Sequence, residues 1–414
     1  MEFKQATLPN GLDIVGEVNK SAKSAAVGFF VKTGSRDETE QINGVSHFLE
    51  HMLFKGTERL SAIEVNQAFD RTGAEFNAGT SWENTIFHAA VLPEYLVDVT
   101  KLWIELMRPA LRDEDFNLEK GVIKQEIAMY KDTPSFDVMD RCRKLHFGEH
   151  PCGNSVLGSE ESIDGLTAQQ MRGYFTQRYA SNNMIFACAG NFDWDQVRLT
   201  VEESCAKWQE QAVHRKLEHC DGSGEKERVE KPNLVREHIS LMSAAVSAQD
   251  PRRFAAYLLA TIVGDNVGSR YYWELVDKAL AEAAVMQFWP MDGTGAFASY
   301  IQCGRANVPK VLDTIRTILD SLCNDGVRED ELTKAKNKTL STLVIENELS
   351  HGRLMRLGAN WLYLQQYRTV EDDISSIRAV TIDDIHSLIE KFDLGNFTQV
   401  SIGPARDKKR KNQK

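Results

Sequence analysis

The sequence predicts an α+β fold made of two homologous halves, each a mostly antiparallel sheet with packed helices. Three observations carry that expectation. Apolar runs that can pair locally as strands are interleaved with long amphipathic helical patterns, the mixture of an α+β chain. Laying Pro93 on Pro309, an offset of 216, aligns the halves without a gap: Leu96 meets Leu312, Glu114 meets Asp330, Phe116 meets Leu332 and Lys120 meets Lys336. Between the halves, residues 211–232 are charged and nearly free of large apolar side chains, which reads as an exposed linker. A period this long marks a duplicated domain and not a solenoid. The chain of 414 residues also exceeds what one ordinary core organises. The expected domains are residues 1–210, a linker over 211–232, a second domain over 233–404, and a basic tail over 405–414.

In chain order, Asn10-Gly11 is a turn signal ahead of a strand at 12–15, and 25–31 reads as a second strand. Residues 24–31 have their counterpart in 239–246 of the second half. A helical pattern covers 45–54, and another covers 62–71, ended by Gly73. Two extended runs follow, 74–80 and 84–92, around the polar Ser81-Trp82-Glu83. Pro93 suits the start of a helix through Met107. Asp113 opens a long helix to about Lys131 that carries Phe116, Val122, Ile123 and Ile127. Residues 183–189 read as a strand before Gly190.

Composition bounds the function. The net charge of −11 argues against nucleic acid as a partner, because phosphate binding needs a basic surface. No run approaches the ~20 apolar residues of a membrane-spanning helix, so no membrane partner is expected. The N-terminus lacks the basic and apolar regions of a secretory signal. Seven cysteines, with no CxxC pair, fit reduced thiols in a cytoplasm better than a disulfide framework. The terminal run Lys408-Lys409-Arg410-Lys411 reads as a solvated end.

The chemistry concentrates in Gly44-Val45-Ser46-His47-Phe48-Leu49-Glu50-His51-Met52-Leu53-Phe54. On a helix His47 and His51 are i and i+4, so both rings can converge on one ion. Imidazole suits zinc, and three protein ligands with an open fourth position make a catalytic site. Glu50 lies on the same side, placed to act as general base on water that zinc makes acidic. Two histidines and a glutamate also occur as a solvated stripe on surface helices. Here the helix is otherwise apolar, and buried polar groups need a partner, for which a metal is the natural one. The best supply of a third ligand is the helix around Glu119 and Glu126, seven residues apart and so on one face. One of them can bind the ion while the other orients a ligand or the substrate.

HFLEH is an H-x-x-E-H motif of the inverzincin kind. The wider stretch GVSHFLEHMLFKGT resembles the peptidase family of pitrilysin, insulin-degrading enzyme and the mitochondrial processing peptidase. The resemblance implies Glu126, 75 residues after His51, as the third zinc ligand, with Glu119 as the earlier acid of EKGVIKQE. It also implies two homologous domains facing across a chamber, with one zinc per chain in the first. The second domain has lost the motif, and Thr342 stands where Glu126 stands in the first. Relatives hold peptide as an added strand, and Phe76, Asn77, Ala78, Gly79 and Thr80 match that edge. One departure stands out. Relatives often carry an Arg and a Tyr in the second domain around R-E-x-x-G-L-A-Y, whereas this chain reads ELVDKALAEA over 274–283. In this it is closer to the catalytic subunit of the processing peptidase, whose partner subunit can supply the missing contacts.

The expected function is a zinc endopeptidase acting on extended peptides or unfolded segments, as a homodimer or a heterodimer with a homologous subunit. Two other readings compete. A non-catalytic scaffold on the same fold would have no need of the intact motif, and a metal store or sensor would not need Glu50.

Overall fold

The computed structural model describes residues 1–405, so the basic run that begins at Lys408 lies outside the described residues. Two sheets organise it. The first contains β1 (Glu2–Thr7), β2 (Asp13–Val18), β3 (Ala25–Val31), β4 (Glu75–Thr80), β5 (Thr85–Val91) and β6 (Met184–Gly190) in the order β1-β2-β6-β3-β5-β4. The second contains β7 (Lys226–Glu230), β8 (Arg236–Ala244), β9 (Ala283–Pro290), β10 (Gly295–Gly304) and β11 (Thr398–Gly403) in the order β7-β11-β8-β10-β9.

Both sheets are antiparallel apart from one pair each, β2 with β6 and β7 with β11. Strip off β1 and the two orders coincide strand for strand, including the position of the parallel pair. The long helices keep the register too. Helix α4 (Asp113–Lys131, following α1 at Val45–Leu53, α2 at Ala62–Thr72 and α3 at Leu96–Leu106) starts 216 residues before the helix Glu329–Glu346.

The compact units are not two contiguous blocks. One contains Met1–Ala128, Asn154–Lys216 and Ser341–Asp373, and the other contains Met129–Gly153, Leu217–Leu340 and the described residues from Ile374 onward. Each half of the chain therefore lends a helical segment to the other half's unit. Helix Ser350–Leu364 covers the first sheet, where Leu354 and Leu357 join Val15, Phe30 and Ala187 in one core cluster. Gly358 meets Phe30 so closely that a Cβ there would stand 2.2 Å from the ring. Helix α5 (Pro134–Phe147) covers the second sheet, and Cys142 Sγ reaches the Ser240 carbonyl at 3.4 Å. An amphipathic stripe states that a face must be buried, not which sheet will bury it. That is why the compact units interleave along the chain.

The stretch 211–232 is exposed or half-buried along its length, but it is not without structure. It contains β7, and its Arg215 is a buried ion-pair partner of Asp37 at 2.6 Å. Arg178 pairs with the same carboxylate at 2.7 Å. The expectations for β3, β4 and β5 match to within a residue or two, but β1 has no counterpart in the sequence reading. Pro93–Tyr95 forms a 3₁₀ turn, and α3 begins only at Leu96.

Candidate metal centre

Helix α1 buries Val45, Phe48, Leu49, Met52 and Leu53, and its other face carries the buried His47 with the half-buried Glu50 and His51. Phe48 stacks on Phe116 of α4 with ring centroids 4.8 Å apart, so the two helices meet through an apolar contact. Along α4, Phe116, Glu119, Ile123 and Ile127 are buried, and Glu126 falls on the same side. The apolar pattern of two helices thus brings together side chains 75 residues apart in the chain.

The His47 and His51 rings lie 4.8 Å apart. His47 Nε2 is 3.6 Å from Glu126 Oε1, and His51 Nε2 is 3.5 Å from Glu126 Oε2. Ligand atoms of these three residues all fall within 4.8 Å of one another, the only such cluster of three or more among the described residues. The spacing fits an ion. Tetrahedral zinc with bonds of about 2.0–2.1 Å sets its ligand atoms roughly 3.4 Å apart, close to the two His–Glu separations, which are too long for good hydrogen bonds. Burial, with His51 beside it, pushes His47 down to about 3, so its imidazole is neutral and able to ligate.

Glu119 does not point at the cluster's centre. Its Oε1 is 2.9 Å from His51 Nδ1, which leaves Nε2 of that ring to face Glu126. Lys55 Nζ holds the other Glu119 oxygen at 2.5 Å. Burial alone would raise the Glu119 carboxyl, but the bonds to His51 and Lys55 outweigh it and keep it below the usual carboxylate range. Burial alone would likewise lower His51, and the bond to Glu119 with the charges of Glu126 and Glu50 lifts it above the ordinary histidine value.

Glu50 accepts a hydrogen bond from Thr80 Oγ1 at 2.6 Å. Its carboxyl is raised, chiefly by burial, with the Thr80 bond and His51 pulling the other way. Thr80 ends β4, the edge strand of its sheet. Along that strand the half-buried Phe76 turns inward and stacks on the buried Phe69 with centroids 3.9 Å apart. Asn77 and Gly79 alternate to the exposed face, and a Cβ at Gly79 would meet nothing within 4 Å.

Three contributions were not read from the sequence: Lys55, the Thr80 hydroxyl and Glu38. Lys55 follows the motif by four residues, so helical spacing could have flagged it. Glu38 accepts from the backbone N–H groups of Gly44 and Ser46 at 2.7 Å each, and from Asn43 Nδ2 at 2.8 Å. Burial pushes its carboxyl up to about 7 against those bonds. In the ionised form each N–H group has a full carboxylate oxygen to itself.

A sequence model for the insulinase family, peptidase family M16, matches residues 14–160, and one for the M16 inactive domain matches residues 165–339. An uncharacterized zinc protease of Streptomyces coelicolor is 32% identical over 98% of this chain and 90% of its own length. The chain belongs to peptidase family M16. Within that family it is also 24% identical to a probable mitochondrial-processing peptidase subunit beta of Arabidopsis thaliana, over 98% of this chain and 79% of that protein. A protease structure from Helicobacter pylori shares the M16 fold with a TM-score of 0.89 at 21% identity, covering 97% of this chain and 100% of that one. Family M16 relatives named zinc proteases fit the His-His-Glu cluster of the first unit. No helix among the described residues is long and apolar enough to cross a membrane.

Proposed function

We propose that this M16 chain is a zinc endopeptidase that hydrolyses extended peptides or unfolded protein segments, with one zinc per chain on His47, His51 and Glu126. The observation that carries the reading is Glu50. It stands between the two histidines on one helix face, with its carboxylate held by Thr80 beside an exposed sheet edge. Zinc, when bound, supplies Lewis-acid polarisation of the scissile carbonyl and a more acidic attacking water.

The protein's own groups do the rest. The free side of β4, over Phe76, Asn77, Ala78, Gly79 and Thr80, offers main-chain donors and acceptors to a peptide in extended form. Apart from Asn77, side chains at this edge are small or turned inward, which favours recognition of backbone over sequence. Glu50 takes the proton of the attacking water and delivers it to the leaving amine. Its raised carboxyl makes it a better proton carrier near neutral pH than a solvated glutamate. Glu119 and Lys55 orient His51.

The test is Glu50→Gln, assayed on a mixed peptide library with zinc measured on the same sample. The substituted protein keeps its zinc and loses cleavage. Cleavage at the parental rate would overturn the mechanism. The same assay on the unsubstituted chain, with and without chelator, checks the stoichiometry of one zinc.

A second reading is a subunit that needs a homologous partner, and the segment 274–283 favours it. Glu282 there hydrogen-bonds Arg236 and Gln302, at 2.5 and 3.0 Å, so this position serves the sheet locally. The similarity to a protein named as a processing-peptidase subunit points the same way. One zinc per chain with no cleavage would favour this reading, and mass photometry would separate a homodimer from a monomer awaiting a partner. Seven unbridged cysteines support a reducing, cytoplasmic setting for either form.

A further inference from the structure

Helix α1 starts without a cap of its own. Its N-cap is Gly44, at φ 94°, which has no side chain to bond the first N–H groups. No other residue fits there: a Cβ would stand 2.6 Å from the Leu157 carbonyl oxygen. The missing acceptor comes from six residues upstream. Glu38, 6% exposed, spans the first turn with one oxygen on Gly44 N–H and the other on Ser46 N–H, the residue just before His47. Among the described residues no cation pairs with Glu38. Its carboxyl is held by the N–H groups of the helix end and by Asn43.

The segment that carries Glu38 is itself fixed on both sides. Gly34 packs against the loop after β4 so tightly that a Cβ would be 2.3 Å from the Ser81 carbonyl oxygen. Arg36 N–H bonds the Trp82 carbonyl at 2.8 Å, and its guanidinium pairs with buried Glu83 at 2.5 Å. Asp37 is gripped by Arg178 and Arg215. Three consecutive charged residues, Arg36, Asp37 and Glu38, are therefore spent on one interior frame. It joins the start of α1 to the hairpin whose Thr80 holds Glu50. Ser46 adds a second tie, with its Oγ 2.7 Å from the buried Tyr174 hydroxyl.

We propose that Glu38 is the positioning residue of the metal site: its buried carboxylate anchors the first turn of α1 and so holds His47 and His51 in ligand geometry ahead of the ion. The role rests on the reading of His47, His51 and Glu126 as a zinc site. A cap that served stability alone would leave the folded protein's metal geometry untouched. Glu38→Gln tests the difference, because the amide offers one acceptor where two are needed and turns a donor toward an N–H.

The experiment combines three readouts on the full chain. Zinc affinity is measured by chelator competition, coordination geometry by the visible spectrum of the cobalt(II)-substituted protein, and amide exchange across 44–51 in the metal-free state. The expected result is a zinc affinity at least ~10-fold lower in Glu38→Gln, an altered cobalt spectrum, and faster exchange confined to the start of α1. Wild-type affinity and an unchanged cobalt spectrum in Glu38→Gln would overturn the role. So would rapid exchange at 45–48 in the unsubstituted metal-free protein, a measurement that holds even if the variant does not fold. Absence of zinc uptake by the unsubstituted chain would sink the site reading and this role together, while normal uptake with an indifferent Glu38→Gln sinks the role alone.

Discussion

Thr80 Oγ1 stands 2.6 Å from Glu50 Oε2, so the last residue of the edge strand holds a carboxylate of α1. The two are 30 residues apart in the chain, on different kinds of element. One residue thus serves the sheet edge with its backbone and Glu50 with its hydroxyl, so in the proposed mechanism a peptide seated on the edge would touch the strand that holds Glu50.

Thr80→Val removes the hydroxyl and keeps the branched shape. A hydrogen bond to a charged group contributes roughly 1.5–3 kcal/mol, so kcat should fall about 10- to 100-fold. Zinc affinity should hold, because Thr80 touches no ligand. Thr80→Ser should recover most of the loss. Equal activity in the Val variant would mean that Glu50 finds its geometry without help.

Glu119→Gln should weaken zinc binding by about 10- to 100-fold, the usual loss when a partner behind a metal-ligating histidine is removed. His51 lies above the ordinary histidine value in the metal-free protein and must lose its proton to ligate. Zinc affinity should therefore rise with pH through that range and fall on acidification. Calorimetry in buffers of different ionisation enthalpy should show proton release, and less of it once Glu119→Gln has lowered the His51 value. Equal release by both proteins would assign the proton elsewhere.

Acid should destabilise the metal-free protein through histidines buried in neutral form. Burial holds His146 down at about 4 against an ordinary 6.5. The folded state resists its protonation, so its contribution is complete above 6.5 and is lost as pH falls toward 4. The drop corresponds to at most about 3 kcal/mol. His88, held at about 4 by burial and by His351, adds in the same direction. Chemical denaturation at several pH values should show stability falling across this window, with a shallower fall in His146→Gln. An unchanged slope would exclude His146 as a contributor.

Arg353→Met should cost roughly 3–5 kcal/mol, because it strands Glu17 as a buried unpaired charge. Arg353 bonds Glu17 through Nε at 2.7 Å, and Tyr367 Oη adds a bond at 2.8 Å. Both partners of Glu17 come from the segment that the second half of the chain lends to the first sheet. Pairing the change with Glu17→Leu should restore much of the loss. A single variant as stable as the parent would mean that the lent segment is held by its apolar face alone.

Spacing on one element was enough for a large part of this protein. His47, Glu50 and His51 share a face because a helix repeats every 3.6 residues, and Glu119 and Glu126 share one for the same reason. The duplication was legible because residues that build the same helix keep the same order, 216 apart. The rest depended on partners that no local pattern names. Glu38 in sequence is one more acid in a polar loop, and only the path of the chain brings it beneath the start of α1. Thr80 alternates along a strand, but which carboxylate its hydroxyl meets is decided by how α1 packs across the sheet. The exchange of helical segments lies furthest from the sequence, since an apolar stripe can be buried by either of two similar sheets, and the choice falls to the packed whole.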